Sequence, residues 1–139
     1  MSRVSNTESG NMGRISYARI RPNEDLVKAV EKLCLVTKFK NAFVRGALGS
    51  LVDASLEHQD GQVTHIKGPA IEIVSIAGEV RTLSDGSVKA DLTGVVADTE
   101  GNVSGGYFVA GGNPICMTLE ITLEEWLPND TKLPISTKE

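Results

Sequence analysis

Residues 71–120 constrain the fold more than any other part of this sequence, because apolar and polar residues alternate there between glycine-containing breaks. The three runs read EIVSIAGEV, VKADLTGVVADTEG and NVSGGYFVAGGNPICMTLE. Valine, isoleucine and threonine recur at every second position, and such β-branched residues favour strands. The segment therefore predicts an antiparallel sheet built from hairpins.

One helix is predicted before this segment. Residues 14–21 alternate as a first strand, which Pro22 ends. Asn23 is then expected to cap a helix, with Glu24 and Asp25 in its first turn, where the helix dipole favours anions. The apolar stripe of this helix consists of Leu26, Val27, Val30, Leu33, Cys34 and Thr37.

Further strands are expected at residues 41–50, 51–57 and 117–126, and residues 58–68 form a polar loop or a short irregular strand. The predicted fold class is α+β: a mainly antiparallel sheet of about six to eight strands with one or two packed helices. The chain of 139 residues is expected to form one domain at residues 14–127. Residues 1–13 are predicted to be a disordered N-terminal segment, and residues 128–139 a flexible tail.

Composition narrows the classes of partner. Aromatic residues make up only 4% of the chain, which argues against a base-stacking platform for single-stranded nucleic acid. The net charge of -4 and the absence of a local basic face argue against DNA. No apolar run reaches the roughly 20 residues of a membrane span, and the N-terminus lacks a signal-peptide core. We therefore expect a cytoplasmic protein with no membrane partner, in which Cys34 and Cys116 are buried thiols, although a disulfide stays open.

The order of several short segments resembles the PPC domain, the "plants and prokaryotes conserved" domain. The resemblance covers about residues 14–127 and rests on RPNEDL before the helix, then GALGSL, EIVSIAG, ADTEGNVSGG and TLEI in that order. It implies a compact PPC-like fold that assembles as a homotrimer. In land plants the domain follows an AT-hook in nuclear DNA-binding proteins. Prokaryotic members are often stand-alone and carry the DNA-binding label by that association alone, and analogy of fold does not establish function.

The same resemblance locates a metal site that this sequence has lost. Many prokaryotic members carry His-x-His on the strand before the Asp-Gly turn and a third histidine after the Gly-Gly pair, similar to a zinc site. The matching positions here hold Asp91, Thr93 and Tyr107. Zinc prefers imidazole or thiolate ligands, so we expect no metal and no cofactor.

The AT-hook is also missing. Residues 19–22 (RIRP) differ from its Arg-Gly-Arg-Pro core by a branched Ile20, which would obstruct entry into the narrow minor groove. The plant element Gly-Arg-Phe-Glu-Ile-Leu reads PAIEIV at residues 69–74, so its partner recognition does not transfer. DNA binding stays possible but is not supported.

A candidate ligand cleft follows from strand periodicity. Lys89, Asp91 and Thr93 share one face of a strand, and Tyr107 lies near the same end, beside a turn at residues 105–106. With Arg45, these residues are predicted to bind a small anionic or hydroxylated ligand. The alternative is a solvated sheet face on which a Lys–Asp pair contributes little.

Other polar residues have simpler interpretations. His58 and His65 flank the loop HQDGQVTH and could bind a metal, but no third ligand has suitable spacing, so surface histidines are preferred. Arg45 and Glu120 lie within apolar strands and are expected in a salt bridge within or between subunits, unless Arg45 anchors a ligand carboxylate. The glycines at 105–106 and 111–112 are read as turn, bulge or close-packing residues rather than phosphate loops.

These observations favour a trimeric binding module that takes a small ligand in an intersubunit cleft, or a protein partner, and lacks the zinc site of the family. Regulatory DNA binding is the first alternative. The second is a metal-independent enzyme acting on a small acid, with Asp91 or Tyr107 as the general acid or base.

Overall fold

The computed structural model describes residues 6–129, in which eight strands and one helix follow the predicted α+β pattern. The elements are β1 (Gly10–Ile20), α1 (Leu26–Thr37), β2 (Asn41–Leu51), β3 (Ala54–Glu57), β4 (Val63–Ile66), β5 (Ile71–Thr82), β6 (Val88–Ala97), β7 (Val103–Phe108) and β8 (Ile115–Pro128). The one helix within residues 6–129, α1, has 12 residues and is too short to cross a bilayer.

All eight strands belong to one sheet with the order β1-β8-β2-β5-β6-β7-β3-β4. Every neighbouring pair is antiparallel. Hairpins join β5 to β6 and β6 to β7, which confirms the prediction made from the glycine-punctuated segment. β8 inserts between β1 and β2, so that the first and last strands of the domain lie side by side.

Aliphatic side chains fill the core between α1 and one face of the sheet, here called the inner face. The helix contributes Leu26, Val27, Ala29, Val30 and Cys34, all of them buried. Alternate residues of the strands complete the core: for example, Leu92, Ile121 and Leu123 are at most 1% exposed. Burial of each such side chain contributes about 1.5–3 kcal/mol. The opposite, outer face of the sheet carries the polar residues of the same strands.

The helix begins two residues later than predicted. Asp25, not Asn23, is the N-cap: its carboxylate accepts a hydrogen bond of 3.0 Å from the amide of Lys28. Asn23 has a left-handed φ of 69° and lies before the helix. Asparagine and aspartate cap helices about equally well. The choice is made by a distant contact, because Asp25 also accepts a hydrogen bond from the amide of Asn113.

Several strand limits also differ from the predicted ones. β1 begins at Gly10, so residues 10–13 are strand rather than part of a disordered segment, and β8 includes Pro128. The cause is long-range pairing, since Gly10 lies opposite Pro128 and Asn11 opposite Leu127. Of the predicted termini, residues 1–5 and 130–139 lie outside the described residues. Leu51 ends β2, and β3 starts only at Ala54; of the two readings for residues 58–68, the short strand is present as β4.

The two cysteines are not joined in a disulfide. Cys34 is buried in α1, whereas Cys116 in β8 is only partly buried. The expectation of two free thiols therefore agrees with the structure, but only one of them is enclosed by the core.

Candidate functional site

The candidate residues of β6 lie on the outer face of the sheet. Ala90 and Leu92 are buried on the inner face, so that Lys89, Asp91 and Thr93 alternate with them and point outward. The sequence pattern thus gives the correct face for all three. Their neighbours on the adjacent strands decide what each of them can do.

Thr93 and Tyr107 lie directly opposite each other on β6 and β7. The Thr93 hydroxyl donates a long hydrogen bond of 3.5 Å to the carbonyl of Ala77 on β5. The Tyr107 side chain is exposed, and its hydroxyl has no hydrogen-bond partner within residues 6–129. This pair therefore presents two hydroxyl groups and one aromatic ring to the solvent.

A shallow hollow of about 340 Å³, here called the first hollow, lies around this pair. Its lining consists of Ser75, Ile76, Ala77, Thr93, Gly94, Val95, Gly105, Gly106 and Tyr107. Only Gly105 leaves open space here: a Cβ on Gly105 would meet no atom closer than 3.4 Å, whereas a Cβ on Gly94 would lie 2.6 Å from the Phe108 ring. The size is at the lower end of the range for small-molecule sites.

The glycines at 105–106 belong to the interior of β7 and not to the predicted turn. The connection between β6 and β7 lies at residues 98–102, where the amide of Asp98 donates to the carbonyl of Asn102. A Cβ on Gly106 would lie 2.9 Å from the carbonyl oxygen of Glu57 on β3. Gly106 is therefore a close-packing residue, the third of the readings left open by the sequence.

Lys89 and Asp91 do not line the first hollow. Lys89 lies opposite Arg81 and Asp91 opposite Glu79 on β5. The guanidinium of Arg81 binds both Glu79 and Glu8 at 2.8 Å. This end of β6 therefore joins a charged row that is separate from the hydroxyl groups of Thr93 and Tyr107.

Arg45 is also outside the first hollow. Its Nε lies 3.0 Å from a carboxylate oxygen of Glu124 on β8. β5 separates β2 from β6, and two strand spacings amount to about 10 Å. The salt bridge within the subunit, one of the predicted readings, is the one that the structure contains. Glu120 likewise stays within the subunit, accepting a hydrogen bond of 2.6 Å from the Tyr17 hydroxyl.

The residues at the positions that the sequence resemblance assigns to a metal site do not fit a zinc ion. Asp91 offers one carboxylate, whereas Thr93 and Tyr107 offer a hydroxyl and a phenol, which are poor zinc ligands. The two histidines lie elsewhere: His58 Nε2 is 2.6 Å from the Thr64 hydroxyl, and His65 Nδ1 is 2.9 Å from the Ser55 hydroxyl. Within residues 6–129 no group of three histidine, cysteine, aspartate or glutamate side chains could hold a metal ion.

The sequence did not indicate that one asparagine, Asn113, is buried. Asn113 is 0% exposed, and its side chain accepts a hydrogen bond from the amide of Ser55 while donating to the carbonyls of Ser55 and Val109. Its own amide donates to Asp25. Asn113 thus joins the loop after β7 to β3 and to the start of α1. The run GGNP was its only sequence signal, and that run predicts a turn, a bulge or close packing without distinguishing them.

Comparison with known proteins identifies the family. Residues 7–127 match the model of the Plants and Prokaryotes Conserved (PCC) domain. A curated relative, the bifunctional protein GlmU of Synechococcus sp. (strain JA-2-3B'a(2-13)), is 33% identical over 112 residues. That match covers 81% of this chain but only 17% of the relative.

Three solved structures share the fold. A metal-containing protein from Archaeoglobus fulgidus has a TM-score of 0.76 at 17% identity, covering 88% of this chain and 86% of its own. A plant- and prokaryote-conserved protein from Pyrococcus horikoshii has a TM-score of 0.74 at 23% identity, covering 86% and 83%. A candidate DNA-binding protein from Bacteroides thetaiotaomicron has a TM-score of 0.71 at 15% identity, covering 88% and 84%. Together with the match over residues 7–127, these likenesses show that the chain belongs to the Plants and Prokaryotes Conserved domain family, which is the family that its sequence resembles.

Proposed function

We propose that this domain is a homotrimeric, metal-independent binding module whose ligand site is the first hollow. The observation that carries the proposal is the direct pairing of Thr93 with Tyr107 beside three glycines. The exposed ring and hydroxyl of Tyr107, next to the Thr93 hydroxyl, offer both an apolar surface and hydrogen bonds to one small molecule.

The lining favours a neutral, hydroxylated ligand. Ser75, Thr93 and Tyr107 supply hydroxyl groups, and Ile76 and Val95 supply apolar walls. No lysine or arginine lines this hollow, so a carboxylate or phosphate would lose its hydration without gaining a cation. For the same reason, an enzyme that acts on a small acid is disfavoured here. The proposal therefore narrows the predicted ligand class to hydroxylated molecules.

A mixed apolar and polar patch on the outer face supports self-association. Ile15, Tyr17 and Leu48 lie on β1 and β2, on either side of β8, and each is 69–70% exposed. The residues opposite them on β8 are Glu124, Thr122 and Glu120, and such mixed surfaces are usual at protein–protein contacts. We propose that this patch packs against neighbouring copies in a trimer and that a neighbouring copy closes the first hollow. Light scattering should then give about 44 kDa, three times the 14.8 kDa of one chain, and Leu48→Glu should lower that mass.

DNA binding is less well supported. Five arginines lie within residues 6–129, and four of them, Arg14, Arg19, Arg45 and Arg81, form ion pairs with glutamates of the same subunit. Guanidinium groups held in this way are less available for phosphates, and the net charge of -4 opposes association with DNA. A salt-titrated mobility-shift assay that detects binding at low ionic strength would revive this alternative.

The relative from Synechococcus is consistent with a module. In that protein the matching 112 residues form only 17% of a longer bifunctional chain. A domain that can be a small part of a larger protein is suited to add a binding function to it. We propose the same role for the domain described here.

Fluorine NMR provides a direct test, because Tyr17 and Tyr107 are the only two tyrosines of the chain. In protein labelled with fluorotyrosine, a mixture of small polyols and hydroxylated rings should shift the Tyr107 resonance and leave Tyr17 unchanged. The variant Tyr17→Phe removes one of the two signals and so assigns them. Thr93→Val should weaken binding. If no compound moves the Tyr107 signal, or if both signals move together, the proposed site is wrong.

A further inference from the structure

A second hollow, of about 550 Å³, lies where β3 and β4 meet the loop after β7. Its lining consists of Asp53, Ala54, Ser55, His65, Ile66, Lys67, Gly111, Gly112 and Pro114. The volume suits a small molecule of several heavy atoms. Unlike the first hollow, this one has cationic side chains at its rim.

Two lysines lie at this rim on different elements. Lys67 follows β4 and lines the hollow directly. The ammonium of Lys28, on the first turn of α1, is 3.6 Å from the point where a Cβ on Gly111 would lie. Neither ammonium forms an ion pair with a carboxylate within residues 6–129. Two lysine ammonium groups without an ion-pair partner among those residues therefore flank one hollow.

Further polar groups complete the same rim. His65 Nδ1 is 2.9 Å from the Ser55 hydroxyl, which leaves Nε2 without a partner in the part of the chain that the structure describes. Nε2 donates a hydrogen bond when the Ser55 hydroxyl donates to Nδ1, or when the ring is protonated. The amide of Gly111 likewise has no acceptor among residues 6–129. The one carboxylate of the lining, Asp53, accepts a hydrogen bond from the amide of Gly68. The two ammonium groups, the Gly111 amide and, in the donating tautomer, His65 Nε2 can therefore all donate to one anion.

The Ser55–His65 pair is better suited to recognition than to nucleophilic catalysis. Ser55 is only 8% exposed. Gly112 covers it so closely that a Cβ on that glycine would lie 2.7 Å from the Cβ of Ser55. A substrate carbonyl could not approach the Ser55 hydroxyl along this side. The hydroxyl instead holds the imidazole in one orientation.

We propose that the second hollow binds the phosphate group of a small phosphorylated molecule. The ammonium groups of Lys28 and Lys67 supply charge, and the amide of Gly111 and the ring of His65 supply directed hydrogen bonds. Glycine-rich backbone with free amides is a common partner for phosphate oxygens. The hollow is larger than a phosphate ion, so we expect the organic part of the ligand to occupy the remaining space. This site is independent of the first hollow and of the function proposed for it.

Titration of the full chain with inorganic phosphate and with glycerol phosphate tests the proposal. Amide proton–nitrogen spectra should show saturable shifts at Gly111 and Gly112, with tighter binding of glycerol phosphate than of the free ion. Lys28→Ala and Lys67→Ala should each weaken binding about tenfold, as expected for a lost charge-assisted hydrogen bond. Both lysines are exposed, so the variants should fold normally.

Lys32→Ala is the matched control, because Lys32 is an exposed lysine one turn further along α1. If Lys32→Ala loses as much affinity as Lys28→Ala and Lys67→Ala, the lysines act only through general charge attraction, and the proposal is wrong. Chemical shifts that never saturate would also overturn it. Equal affinity for the free ion would overturn the part that assigns an organic phosphate. A short DNA duplex that binds more tightly, with the same dependence on Lys28 and Lys67, would show that the site serves nucleic acid instead. The Tyr107 fluorine signal reports separately on the first hollow.

Discussion

The carboxylate of Glu8 accepts a hydrogen bond of 2.6 Å from the indole N–H of Trp126, although 118 positions separate the two residues. The same carboxylate binds the guanidinium of Arg81 at 2.8 Å, and Arg81 in turn binds Glu79. The segment before β1 is therefore attached to both β5 and β8. Glu8 thus fixes the residues just before β1 against strands from the end and the middle of the domain.

Glu8→Ala should lower the free energy of unfolding by about 1–3 kcal/mol, because it leaves the indole N–H and part of the Arg81 guanidinium without their acceptor. The side chain of Glu8 is only 8% exposed, so water cannot readily take its place. Trp126 is the only tryptophan of the chain, and its fluorescence during denaturant unfolding reports directly on this region. Glu100→Ala, at an exposed glutamate, is the control and should change little.

The same contact predicts how stability depends on pH. Burial alone would raise the pKa of Glu8, but the hydrogen bonds from Arg81 and Trp126 outweigh it and hold the pKa below its ordinary value of 4.5. The contribution of Glu8 is therefore fully present above about pH 4.5 and is lost as the pH falls through the lowered pKa. We expect the stability difference between wild type and Glu8→Gln to shrink on acidification. A difference that stays constant down to about pH 3 would contradict this linkage.

Local sequence patterns predicted the elements of this fold well, and long-range contacts explain where they failed. Alternation along β5, β6 and β8 gave the correct strands and faces, because side-chain direction in a strand depends only on local geometry. The predicted N-cap and the predicted start of β1 were wrong because distant residues fix both. Asp25 accepts a hydrogen bond from the amide of Asn113, and Gly10 pairs with Pro128 of β8. No pattern in neighbouring residues carries that information.

The candidate cleft shows the same limit. Periodicity placed Lys89, Asp91 and Thr93 on one face, but only Thr93 meets Tyr107, because register between β6 and β7 decides which residues are opposite. Arg45 lies outside the predicted cleft because β5 separates β2 from β6. Strand order is a property of the whole fold and cannot be read from one strand.

Asn113→Ala should destabilise the domain more than an exposed asparagine substitution does. The change leaves the amide of Ser55, a buried group, without its acceptor, which costs about 1–3 kcal/mol. Asn102→Ala, in the exposed connection between β6 and β7, is the matched control. Thermal unfolding of the two variants side by side would settle the comparison, and equal melting temperatures would contradict the assigned role of Asn113.

The two thiols should differ in reactivity. Burial raises the pKa of Cys34 to about 11, with a smaller contribution from the charge of Glu31, so this thiol stays protonated at neutral pH. Cys116 is partly exposed. A thiol reagent should therefore modify one site per folded chain and two after unfolding. The variant Cys34→Ala assigns the site that reacts in the folded chain to Cys116.

The raised pKa of Cys34 also links stability to pH. Because the folded-state pKa of Cys34 lies above its ordinary value of 9.0, its contribution to stability is complete below pH 9 and declines as the pH rises towards 11.

Substitutions at two glycines of the first hollow should distinguish an effect on stability from an effect on ligand binding. A Cβ on Gly94 would lie 2.6 Å from the Phe108 ring, so Gly94→Ala should cost about 1–3 kcal/mol of stability through overpacking. A Cβ on Gly105 meets nothing closer than 3.4 Å, so Gly105→Ala should leave stability nearly unchanged. The added methyl group nevertheless occupies the hollow, so it should lower the affinity for any ligand that shifts the Tyr107 resonance. Gly46→Ala, where a Cβ would have no atom within 4 Å, is the control for adding a methyl group to a strand. Unchanged affinity in a stable Gly105→Ala variant would exclude the first hollow as the ligand site, because the methyl group and the ligand would need the same space.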